Sequence, residues 1–142
     1  MAGMPTASSP VASRANLLNG YRALAGVLAV LVLVQAAMAG HSNRLFGDLD
    51  IVAHGIVGNV SYLLAVGALV LTIVARANKA AIGVAAAIVV LMTAQIGLGY
   101  SGRDSLGAAA WHVPNGVAIF GLAVYQVSQA RALAKGTALT AD

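Results

Sequence analysis

The sequence predicts an all-α fold, a four-transmembrane-helix bundle made of two helical hairpins. Three observations carry this. Four apolar stretches fill most of the 142 residues. Only 8% of the residues are charged and 60% are hydrophobic, where soluble domains hold about 25% charged residues. A soluble chain of this size has too much surface to cover with so few charges. Finally, lysine and arginine favour alternate connections between the stretches, as they do in membrane proteins that keep positive loops on one side.

In chain order, residues 1–20 are rich in Ser, Pro, Asn and small side chains and read as a disordered cytoplasmic tail. The transmembrane domain covers 21–131, with spans expected at about 23–39, 51–75, 80–99 and 108–130. A helix of about 17–25 apolar residues crosses the hydrocarbon core, and backbone groups in lipid must pair within their own segment, so helices are expected throughout. Pro114 is expected in the first turn of the fourth span, where its missing N–H matters little. Residues 132–142 read as a cytoplasmic C-terminal tail.

Arg14, Arg22, Arg76, Lys79, Arg131 and Lys135 share one side, and only Arg44 and Arg103 fall on the other, beside Asp48, Asp50 and Asp104. The expectation is a multi-pass protein of a bacterial cytoplasmic (inner) membrane with both termini in the cytoplasm. Trp111, Tyr100 and Phe46 would form an outer aromatic belt, and Tyr21 and Tyr125 an inner one. Ala37-Met38-Ala39 after an apolar run loosely imitates a signal-peptide cleavage site. The preceding basic region is long for a signal, so the first span is kept.

The chain has no cysteine, which removes disulfides, thiolate metal sites, Cys nucleophiles and covalent c-type haem attachment. Its pI near 10 does not suggest nucleic acid, because the positive residues are spread over loops without an aromatic platform. No nucleophile–base pair, phosphate loop or buried Lys is legible, so no catalytic residue is assigned.

The two hairpins share a pattern. Gln35 closes the first span and His54 opens the second, followed by Gly58 and Asn59. Gln95 closes the third and His112 opens the fourth, followed by Asn115 and Gly116. This suggests a duplication with a pseudo-twofold axis along the membrane normal. At ~1.5 Å per residue, His54 stands ~33 Å from Arg76 and His112 ~29 Å from Arg131, so both rings reach the outer boundary. His54, Gly58, Ser61 and Ala65 share one helical face, and His112, Asn115, Gly116 and Ile119 another.

Two opposed imidazoles can hold haem iron. On this reading haem b sits between His54 and His112, and Gly58 and Gly116 clear room for the macrocycle. Asp50 orients the His54 ring, while Arg44 and Arg103 pair with the propionates. A metal site for zinc or copper that adds His41 is a second reading. The bland alternative treats each histidine as a helix-end residue bonded to a loop or neighbouring helix. Gln35, Gln95, Asn59 and Asn115 are expected to bond between helices. The lipid bilayer is the expected environment. Small-residue faces at Gly26, Gly67 and Gly83 would suit a membrane-protein partner or homo-oligomer, making a cofactor-free accessory subunit the functional alternative.

Gln95-Ile-Gly-Leu-Gly-Tyr100, Trp111-His112-Val-Pro-Asn115-Gly116 and His54-Gly-Ile-Val-Gly58 resemble a family of small uncharacterised four-helix membrane proteins of actinobacteria, which carries no assigned activity. His112 and Pro114 are one residue further apart here than in that family's pattern. More distantly, the chain resembles one half of haem A synthase, a four-helix bundle with one His in its second helix and one in its fourth. That resemblance implies haem ligation by His54 and His112. The enzyme's Glu near its histidine is replaced here by the more distant Asp50, and only one half is present, so the resemblance implies binding rather than catalysis.

Overall fold

The computed structural model describes residues 10–40 and 50–139. Among them are four α-helices and no strand: α1 (Pro10–Gly40), α2 (Asp50–Val74), α3 (Lys79–Ser101) and α4 (Leu106–Leu139). Each holds a segment long and apolar enough to cross a bilayer. The chain is therefore a multi-pass membrane protein whose backbone polar groups are satisfied within its helices. The helices form a ring, α1 against α2, α2 against α3, α3 against α4 and α4 back against α1. Thus α2 and α4 face each other along one diagonal.

The core is built of small residues. Ala65 and Ala68 on α2, Ala81 and Ala85 on α3 and Ala123 and Ala130 on α4 are all buried. Without a water-driven hydrophobic effect, close backbone approach and dispersion hold such helices together. Larger side chains fill the middle, where Leu28, Val32, Ile88, Met92 and Ile119 pack around Ala65. A second cluster, of Tyr21, Ala25, Ala68 and Ala130 flanked by Leu133, lies toward the end that carries the termini.

Two boundaries differ from expectation. Helix α1 begins at Pro10 and α4 continues to Leu139, so 10–20 is helical rather than a disordered tail and the chain does not fray after Arg131. At ~1.5 Å per residue α1 is ~46 Å long and α4 ~51 Å, against a hydrocarbon core of about 30 Å. The extensions survive because they pack: Leu18 is fully buried, and Arg14 donates from Nε to the Ala75 carbonyl at 3.1 Å. Tyr21 is also corrected. It is a fully buried core residue, not a belt residue, whereas Tyr100, Trp111 and Tyr125 are exposed. Phe46 lies outside the described residues. Pro114 stands inside α4, not in its first turn, because the helix starts at Leu106. Its missing N–H removes the ladder bond to the Ala110 carbonyl.

The turn between α2 and α3 has a defined cap. Arg76 donates its N–H to the Ile73 carbonyl and Ala77 to the Thr72 carbonyl, the paired bonds of a Schellman motif. Arg76 therefore takes φ 50°, a left-handed position normally left to glycine and costing another residue roughly 1–2 kcal/mol. Asn78 then caps α3, its side-chain oxygen accepting from the Ala81 N–H at 2.8 Å. At the opposite turn, Gly102 donates to the Leu98 carbonyl, and a Cβ there would lie 3.3 Å from the Ala109 backbone.

Candidate functional site: two facing histidines and their amide partners

The end of the bundle opposite the termini is lined differently from the rest. The outermost fully buried residues are Ser61 on α2 and Ile119 on α4, with Met92 on α3 and, further out, Met38 on α1 also buried. Beyond that level, Gln35, His54, Gly58, Gln95, Gly99, His112, Asn115 and Gly116 are all only partly buried. Ser61 and Ala65, below His54 on its helical face, and Ile119, below His112, are buried and point into the bundle.

The two imidazoles meet across the α2–α4 diagonal. Their ring centroids are 6.2 Å apart with planes inclined at 53°. The Nδ1 atoms of both rings are buried without a hydrogen-bond partner. Burying a polar nitrogen unpaired is costly, and such orphaned atoms mark where a ligand or water is expected.

A chain of hydrogen bonds fixes the state of His112. Asn115 donates from Nδ2 to the Leu91 carbonyl at 2.9 Å and to Gln95 Oε1 at 2.6 Å. The Leu91 carbonyl can only accept, so the Asn115 nitrogen is assigned. The Gln95 atom facing it must then be oxygen, which leaves the Gln95 nitrogen 3.1 Å from His112 Nε2. That nitrogen can only donate. His112 Nε2 therefore offers a lone pair, and the ring proton sits on Nδ1. This assignment follows from the network rather than from observed hydrogens.

The first hairpin solves the same problem differently. Gln35 donates from Nε2 to the His54 backbone carbonyl at 2.7 Å, and its Oε1 is buried without a partner. In both hairpins the glutamine amide lies over a glycine. A Cβ on Gly58 would stand 3.1 Å from Gln35 Nε2, and one on Gly116 3.2 Å from Gln95 Nε2. These glycines therefore make room for amides, one turn below each histidine. Gly99 does the same for the His112 ring, whose Cε1 would meet a Cβ at 3.1 Å.

Other candidates separate from this cluster. The Arg103 guanidinium lies 5.4 Å from the centre of the Tyr100 ring, an exposed cation–π contact. Asn59, expected to bond between helices, is exposed; it follows its histidine by five residues where Asn115 follows by three, and of the two Asn115 alone turns inward. Asp50 is the first residue of α2, with its side chain outside the described part, as are His41 and Arg44. Among the described residues no group of three His, Cys, Asp or Glu side chains could hold a metal ion. Sequence reading missed the second polar site, deep in the bundle. There Gln126 is fully buried with both amide atoms unpartnered, beside the Tyr21 hydroxyl. Its only sequence signal was a glutamine in an apolar run.

No family model matches the chain, and neither does any curated protein or solved structure.

Proposed function

We propose that the protein binds b-type haem between His54 and His112, and that it serves as a respiratory or haem-handling accessory of a bacterial inner membrane. The supporting observation is the 6.2 Å between the ring centroids. An imidazole–metal bond of about 2.0–2.1 Å, plus about 1 Å from nitrogen to ring centre, repeated on the other side, spans about 6 Å. Gln95 keeps His112 Nε2 free of a proton, the protonation state a metal ligand needs, and ligation at that nitrogen would exchange the Gln95 hydrogen bond for the metal.

Haem held by His54 and His112 would supply one-electron chemistry. The protein's part would be to hold the two imidazoles facing one another. The repeated Gln–Gly contact supports descent of the two hairpins from one unit, related by a pseudo-twofold axis.

The decisive measurement is a visible absorption spectrum of protein expressed with haem precursor and purified in mild detergent. The expected result is a Soret band lost in both His54→Ala and His112→Ala, while both variants elute from gel filtration like the parent. A band that survives both substitutions overturns the proposal. A second reading, a cofactor-free subunit packed on a partner, is favoured by the open surface over Gly26 and Gly83. A colourless protein co-purifying with a stoichiometric membrane partner would support it.

A further inference from the structure

The end that carries the termini holds a cleft between α1 and α2, remote from the histidines. Ser13, Arg14, Leu17, Val74, Ala75 and Arg76 line it, and its volume is about 460 Å³. Two arginines line it. Arg14 is anchored through Nε on the Ala75 carbonyl, and its remaining donors reach solvent-accessible space, for the residue is exposed. Arg76 is exposed too and holds the left-handed cap position. Glycine fits that position without strain. Strained residues persist where the surroundings over-determine them, and they cluster at binding sites. Asp104, the only carboxylate whose side chain is described, lies at the opposite end of the bundle.

We infer that this cleft binds the phosphate of an anionic phospholipid headgroup. Guanidinium forks match phosphate oxygens in geometry and charge, and basic pockets between membrane helices take such headgroups. Depth selects the lipid over a free anion. Helix α2 is ~37 Å long and the hydrocarbon core about 30 Å, so Arg76, just past the end of α2, stands at the level where lipid phosphates are concentrated. Lys79, in the first turn of α3, adds positive charge at the same end. The inference is independent of the haem reading.

Native mass spectrometry of the full chain in mild detergent tests it, with phosphatidylglycerol, phosphatidylcholine and inorganic phosphate as probes. Phosphatidylglycerol is expected to be retained over phosphatidylcholine, and millimolar phosphate is expected not to displace it. Arg14→Gln and Arg76→Gly should each weaken phosphatidylglycerol retention about fivefold, while Arg103→Gln at the other end leaves it unchanged. Arg76→Gly is the informative variant, because it relaxes the backbone and so separates lost binding from lost folding. Equal retention of the two lipids overturns the inference, as does an Arg76→Gly protein that retains phosphatidylglycerol like the parent. Displacement by millimolar phosphate reassigns the cleft to the free anion and overturns the lipid.

Discussion

Asn115 follows its histidine by three residues and Asn59 by five, and the two do different work. Asn115 makes two bonds to α3; Asn59 is exposed. Interhelical bonds in membranes contribute about 0.6–1.7 kcal/mol, so Asn115→Ala should lower stability by about 1–2 kcal/mol in a denaturant or thermal titration in detergent. Asn59→Ala should stay within about 0.5 kcal/mol of the parent. Equal effects would mean that the network does not hold the helices. The tautomer of His112 can be read directly. In 15N-histidine spectra of the apoprotein, Nε2 should appear as the bare nitrogen and Nδ1 as the protonated one. Gln95→Leu removes the donor that selects this state and should yield a mixture of tautomers.

At the scale of the helix, glycine has two uses here, and substitution separates them. Nothing lies within 4 Å of a Cβ placed on Gly83, so Gly83→Ala should stabilise α3 by about 0.5–1 kcal/mol through backbone entropy. At Gly116 the added methyl meets the Gln95 amide at 3.2 Å, and Gly116→Ala should lower the melting temperature and disturb the His112 ring signal. The same elements show what could be read in advance. The four spans and the inner faces of α2 and α4 followed from hydropathy and helical spacing, because lipid imposes both directly. The extensions of α1 and α4 did not, because Ser, Asn and Arg beyond the bilayer can coat a packed helix as readily as a tail. Tyr21 and Gln126 were illegible for a related reason. A polar residue on an apolar helix faces either the interface or the core, and only the ring order of the helices decides which. At the histidines, spacing identified the pair but could not reveal that amides sit over Gly58 and Gly116, since glycine marks free space without naming its occupant.

For the whole molecule, the turn at Lys79 and the turn at Ser105 lie at opposite ends. The cysteine-free chain makes this testable, because any introduced thiol is the only one. If the termini are cytoplasmic, as the charge distribution leads one to expect, an impermeant maleimide should label Ser105→Cys on intact cells and Lys79→Cys only after permeabilisation. The reverse pattern would invert the molecule.

The layer of Leu28, Val32, Ile88, Met92 and Ile119 has an electrical consequence. It closes the middle of the bundle with packed apolar side chains. A transmembrane voltage, worth about 2.3 kcal/mol per elementary charge per 100 mV, falls largely across such dry segments. On the haem reading, a charge held between the two imidazoles, to one side of this layer, would respond only weakly to the polarisation of the membrane. Vesicles carrying the protein should leak no protons, and a redox midpoint measured in them should not move with an imposed diffusion potential.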